Sequence, residues 1–153
     1  MDKITLNRIN QLHPSVREEM KTIIEECDTV LTGRAQVRVT QGLRTFAEQD
    51  ALYAQRPKVT NAKGGQSVHN YGFAVDICLI IDGTQASWDV KKDWDGDKVA
   101  DWDECVKIFA KHGWSWGGNW SSFKDMPHFD KIGWNNWRVL KTKPRDASGY
   151  III

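Results

Sequence analysis

Cysteine is scarce in this 153-residue chain, and the three present do not form a pattern. Cys27, Cys78 and Cys105 are far apart, odd in number and without a Cys-x-x-Cys pair. That excludes a cysteine-rich zinc site and argues against a disulfide framework. The three are expected as buried, reduced thiols. No apolar run approaches the ~20 residues that a membrane-spanning helix needs. Met1 to Asn10 lacks the basic-then-apolar layout of a secretory signal, so the chain is expected to leave the ribosome as a leaderless soluble protein in the cytoplasm. Net charge is almost absent as well. Lys and Arg total 21 against 20 Asp and Glu, a formal charge of +1. A general nucleic-acid binder, which depends on many phosphate contacts, is thereby disfavoured. There is no internal repeat or low-complexity tract. Hydrophobic residues at 41% and charged residues at 27% suit one globular domain.

Tryptophan is abundant by contrast. Eight Trp stand against three Tyr and five Phe, and five of the eight lie between Trp114 and Trp137. Trp fills cores, and it also lines clefts that take extended polar ligands. Helical spacing of Val16, Met20, Ile23, Ile24, Cys27, Val30 and Leu31 predicts a helix from Pro14 to Leu31, stopped by Gly33. Val37 to Thr40 reads as a strand. Thr45 with Glu48 three residues on is a capping-box pattern that opens a second helix through Gln55. Residues 56–66 form a loop. Phe73 to Ile81 reads as a strand, turned by Asp82-Gly83 into a hairpin that reaches Ser87–Asp89. A third helix carries Trp102, Cys105, Val106 and Phe109 and ends at Gly113. Trp114–Trp116 and His128–Asp130 read as two short strands. The mixture, without strict βαβ alternation, predicts an α+β domain over residues 1–140 and a basic, polar C-terminal tail over 141–153.

Of the four His, His13 sits at a helix start and His112 at a helix end, where the dipole favours an imidazolium, so His112 reads as a structural or surface residue. His69 and His128 stand in different company. His69 lies in Ser67-Val-His69-Asn-Tyr-Gly72-Phe-Ala74-Val-Asp76, where Gly72 permits a tight bend. Strand alternation then puts Ala74, Asp76 and Cys78 on one face, and Phe73, Val75, Ile77 and Leu79 on an apolar one. A carboxylate in so apolar a strand needs a partner. His128 lies in Asp125-Met-Pro-His128-Phe-Asp130. Two imidazoles and one carboxylate suit a catalytic zinc, with the fourth position left for a water whose pKa falls to about 7. Asp125 is placed to serve as general base beside the metal.

Ser-x-His-x-x-Gly-x-Ala-x-Asp, followed roughly 50 residues on by Asp-x-Pro-His-Phe, resembles the zinc peptidases of bacterial cell walls. These include the D-alanyl-D-alanine carboxypeptidases and, closer still, the L-alanyl-D-glutamate endopeptidases of bacteria and phage endolysins. The resemblance runs over residues 10–138 and takes in Leu12-His-Pro14, Gln41-Gly-Leu-Arg44 through Tyr53, and Gly113-Trp-Ser-Trp-Gly-Gly-Asn-Trp120. It implies a small α+β fold, shared with animal signalling domains, in which an antiparallel sheet carries the zinc site and helices cover its other face. It matches His69, Asp76 and His128 to the zinc ligands and Asp125 to the residue that activates the water. Arg44 matches a substrate-side arginine, for a substrate carboxylate or the scissile carbonyl; the alternative is a salt bridge to Glu48. Ser67 either bonds the substrate or a ligand or simply forms the turn. Three functions remain open: a peptidase cutting L-Ala–D-Glu in peptidoglycan stem peptides, a D-Ala-D-Ala carboxypeptidase, and a non-catalytic zinc-binding module. The intact set with Asp125 favours an enzyme, and the Gly- and Trp-rich segment favours the endopeptidase. The resemblance implies a monomer that acts at the cell wall, and the missing leader suggests phage-type release.

Asp93, Asp95, Asp97, Asp101 and Glu104 fall at positions 1, 3, 5, 9 and 12 of a calcium loop, with Lys98 at position 6 where such loops carry Gly. Calcium is one reading. The other is a turn at Asp95-Gly96 followed by a cap made by Asp101 and Glu104 for the third helix.

Overall fold

The computed structural model describes the whole chain, Met1 to Ile153. It begins with a helix that no apolar stripe announces: α1, Lys3–Ile9. Asp2 caps it, Oδ1 accepting from the Thr5 amide at 2.7 Å. Ile4 and Leu6 are exposed, and only Thr5 and Ile9 are buried. The role of α1 lies at the sheet edge. Thr5 Oγ1 accepts from the Val39 amide at 3.1 Å, and Arg8 Nη1 donates to the Val39 carbonyl at 2.8 Å. Asp28 takes the Val37 amide at 2.9 Å. Side chains thus satisfy an edge strand that would otherwise offer open main-chain groups.

A 3₁₀ turn at Pro14–Val16 leads into α2, Arg17–Val30, which buries Met20, Ile23, Ile24 and Cys27. Then follow β1 (Ala35–Gln41), α3 (Phe46–Ala54), β2 (Ala74–Ile81), β3 (Gln85–Ser87), α4 (Asp101–Lys111), β4 (Trp114–Trp116), β5 (His128–Lys131) and α5 (Trp137–Leu140). The capping box at Thr45 and Glu48 is formed as expected. The sheet is antiparallel in the order β1-β2-β5-β4, with β3 paired to the far half of β2. Val37, Val39, Val75, Ile77, Leu79 and Phe129 join α2 and α4 in one core with Trp102, Cys105 and Phe109. Each such side chain contributes roughly 1.5–3 kcal/mol by leaving water. All three cysteines are buried and free. No helix is long and apolar enough to cross a membrane.

The segment beyond Leu140, set apart in the sequence as a tail, packs back on the domain. Ile151 is buried in the core. The Ile151 carbonyl accepts from His13 Nε2 at 2.8 Å, and Tyr150 Oη donates to the Gln11 carbonyl at 2.9 Å. His13 itself stacks on Phe73 with centroids 4.6 Å apart, a structural role. His112 is likewise structural, bonded through Nε2 to Glu26 at 2.9 Å.

Candidate active site

The β2–β5 register sets Asp76 directly opposite His128, and Ala74 opposite Asp130. Partners across a ladder share a face, so the carboxylate and the imidazole project together from the side away from the core. His69 arrives from a 3₁₀ turn, Val68–Tyr71, that ends at Gly72 with φ +80°. A side chain there would place Cβ 2.4 Å from the His13 amide nitrogen, so only glycine fits this bend. Ser67 Oγ accepts the His69 amide at 3.3 Å, and Asn70 Oδ1 accepts the Ser67 amide at 3.2 Å. The turn-forming role of Ser67 is therefore in place.

The outer nitrogens of both imidazoles are engaged. His69 Nδ1 donates to the Gly42 carbonyl at 2.8 Å, and His128 Nε2 donates to Asp130 Oδ2 at 2.9 Å. A carbonyl can only accept, so the hydrogen of a neutral His69 sits on Nδ1. The inner atoms, His69 Nε2 and His128 Nδ1, then face Asp76 Oδ1 at 3.3 and 3.2 Å. Two nitrogen lone pairs and an anionic oxygen pointed at one spot call for a cation, and this donor set fits zinc. Without a metal a proton takes that place. Burial alone would lower the His128 pKa, but Asp130 and Asp76 lift it to about 9. Burial alone would raise Asp76, but the neighbouring imidazoles of His128 and His69 hold it well below the usual carboxylate range. Metal binding exchanges for that proton.

Asp130 was not among the residues singled out in the sequence. Ser115 Oγ and Asn135 Nδ2 donate to its Oδ1 at 2.5 and 3.0 Å, leaving Oδ2 for His128. The signal was present: His128 and Asp130 are two apart in a strand, hence on one face.

Asp125 lies with His69, Asp76 and His128 on one cleft of about 370 Å³, with Arg44, Ser67, Thr60 and Trp120 in its wall. Asp125 is held beside the strand by two main-chain bonds. Its amide donates to the Gly117 carbonyl at 3.1 Å, and its carbonyl accepts from the His128 amide at 3.2 Å. A Cβ on Gly117 would come within 2.3 Å of the Asp125 carbonyl oxygen, so glycine is needed for this approach. Burial, and then the charge of Asp76, raise the proton affinity of the Asp125 carboxyl. Trp120 leans over the His128 ring at 5.3 Å between centroids.

Arg44 does not form the alternative salt bridge to Glu48, whose carboxylate instead accepts the Thr45 amide at 3.0 Å. Its Nη1 donates to Gln49 Oε1 at 2.8 Å, and the buried Nε has no partner. Gln49 is itself buried and anchored by donating to the Ala62 carbonyl at 2.9 Å. A half-buried guanidinium is thus aimed along the cleft with donors to spare.

None of the acidic-loop carboxylates lines the cleft. They gather in two overlapping groups, Asp93–Asp95–Asp101 and Asp95–Asp97–Glu104, each with carboxylate oxygens within 4.8 Å of one another. Burial, then hydrogen bonding and repulsion from Asp97, push the Glu104 carboxyl up to about 8. Burial, with repulsion from Asp95, Asp93 and Asp97, pushes Asp101 up to about 6 against a hydrogen bond from Trp94. The capping alternative is not realised. Asp101 is already the first residue of α4, its N-cap is Ala100, and no side chain caps the helix.

A family model described as D-alanyl-D-alanine carboxypeptidase matches residues 60–131, the stretch that holds His69, Asp76, Asp125 and His128. Peptidoglycan L-alanyl-D-glutamate endopeptidase CwlK of Bacillus subtilis (strain 168) is 38% identical over 128 residues, which cover 80% of this chain and 75% of CwlK. The chain belongs to this peptidase family. The L-Ala D-Glu endopeptidase ChiX of Serratia marcescens superposes with a TM-score of 0.61 and 20% identity, covering 93% of each chain. The two share their fold, an antiparallel sheet with helices, in agreement with the α+β expectation.

Proposed function

We propose that the chain is a zinc-dependent endopeptidase that cleaves the L-alanyl–D-glutamyl bond of peptidoglycan stem peptides, acting as a monomer at the cell wall. The observation that carries this reading is the convergence of His69, Asp76, His128, Asp125 and Arg44 on one open cleft. The likeness to CwlK selects the bond. His69 Nε2, the Asp76 carboxylate and His128 Nδ1 would hold the zinc. When bound, zinc supplies Lewis-acid polarisation of the scissile carbonyl and acidifies water. The remaining work belongs to side chains. Asp125 takes a proton from the attacking water on a carboxylate oxygen and returns it to the leaving amine. Arg44 donates to the free carboxylate of the D-glutamyl residue. Trp120 offers an apolar wall beside His128. A non-catalytic module would have no use for a half-buried carboxylate held beside the three ligands.

The family description leaves a second reaction, removal of terminal D-Ala, which needs the same groups. Zymography on purified cell walls tests the metal reading common to both. Clearing should be lost with a zinc chelator and restored by zinc; clearing indifferent to the chelator contradicts it. For Arg44, Arg44→Lys keeps the charge but loses the planar fork. Its KM for a soluble stem peptide should rise about tenfold or more, near the worth of one charge-assisted hydrogen bond, with kcat changed far less. An unchanged KM would leave Arg44 only its bond to Gln49.

A further inference from the structure

We propose that Asp93–Glu104 is a calcium site, separate from the cleft, whose cation steadies the segment that carries Asp125 and His128. Calcium loops take oxygen ligands at positions 1, 3, 5, 9 and 12, with a main-chain carbonyl at position 7. Here those positions hold Asp93, Asp95, Asp97, Asp101, Glu104 and the Val99 carbonyl, which accepts no hydrogen bond. Lys98 stands at position 6, where glycine is usual, yet it adopts φ +71°. The backbone therefore makes the sharp turn despite its Cβ.

The independent observation is a buried charge with nothing to answer it. Asp101 is 0% exposed, and its Oδ2 has no hydrogen-bond partner. Its Oδ1 accepts only the Trp94 amide, at 3.1 Å. Glu104 Oε2 is likewise buried without a partner. No Lys or Arg forms an ion pair with any of the five carboxylates. Arg34 and Lys92 instead lie over the Trp94 ring, each 5.3 Å from its centroid. An unpaired carboxylate this deep is costly, and a hard divalent cation is the partner that five clustered oxygens suit.

The route to the cleft is short. Asp101 opens α4, and the next residue, Trp102, donates through Nε1 to the Met126 carbonyl at 3.3 Å. Trp116 Nε1 donates to the same carbonyl at 2.6 Å. Met126 sits between Asp125 and His128, so a cation that fixes the start of α4 also fixes the anchor of that turn. This effect on catalysis rests on the proposed roles of Asp125 and His128; cation binding itself does not.

The test titrates calcium chloride into the zinc-loaded protein in calcium-free buffer, reading heat, melting temperature and retained zinc. One calcium per chain is expected, with a melting temperature that rises with the logarithm of calcium concentration. Asp95→Asn/Asp97→Asn should weaken calcium binding on the order of a hundredfold, within the range over which ligand charge tunes such loops. This variant loses like-charge repulsion and should fold in the absence of calcium. Absence of saturable binding at millimolar calcium in the wild type, or equal binding by the variant, overturns the site. Hydrolysis should quicken with calcium in the wild type alone. Calcium binding without any change in rate would overturn the link through Trp102, while an inactive protein that still binds calcium would count against the peptidase reading instead.

Discussion

His128→Ala should yield a protein that holds no zinc and hydrolyses no stem peptide. The expected loss exceeds that of a missing ligand, because His128 bridges two carboxylates, Asp76 at 3.2 Å and Asp130 at 2.9 Å. Its removal leaves both carboxylates buried or nearly so without the group that separates them. Breaking a buried pair by deleting one partner commonly costs about 3–5 kcal/mol. Elemental analysis of the purified variant, with circular dichroism to confirm folding, reads the outcome; stoichiometric zinc in a folded His128→Ala protein would refute the ligand set. Asp130→Ala should be graded between this variant and the wild type. It removes only the group that orients the ring, a change that typically weakens metal binding about 10–100-fold.

Asp125→Ala should behave differently, keeping its zinc while turnover falls by about 10²–10⁴-fold, the usual worth of a positioned acid–base group. The reason is geometric. Asp125 is not part of the cluster of metal-binding atoms formed by His69, Asp76 and His128, yet it lines the same cleft. Its main chain is tied at both ends, to Gly117 and to the His128 amide, so loss of the carboxylate need not move the backbone. Zinc content and single-turnover rate together separate a base from a ligand. Near-normal turnover in the zinc-loaded variant would remove Asp125 from the chemistry, and loss of zinc would move it into the ligand set.

The elements that proved readable were those whose burial follows a local period. Met20, Ile23, Ile24 and Cys27 mark α2 because one helical face meets the sheet. The alternation in β2 separates Asp76 from Val75 and Ile77 because one face of that strand is core. Thr45 and Glu48 mark the start of α3 because a capping box is made within four residues. What stayed hidden depends on partners far away in the chain. The apolar residues Ile4 and Leu6 of α1 face water, and its hydrogen bonds to the β1 edge come from Thr5 and Arg8. The packing of the C-terminal segment rests on His13 and Ile151, which are 138 positions apart. In the cleft, the His and Asp residues could be named from their motifs. The Gly42 carbonyl that sets the His69 tautomer, and the Gln49 side chain that holds Arg44, appear only once β1, α3 and the His69 turn are brought together.

The most direct measurement is mass analysis of the peptides released from purified stem peptide by the zinc-loaded protein. A new N-terminal D-glutamyl residue, formed with zinc and absent with chelator, is the predicted result. Free D-alanine in its place would assign the cleft to the carboxypeptidase reaction, and an unchanged stem peptide in the presence of stoichiometric zinc would contradict the assignment as a peptidase of the cell wall.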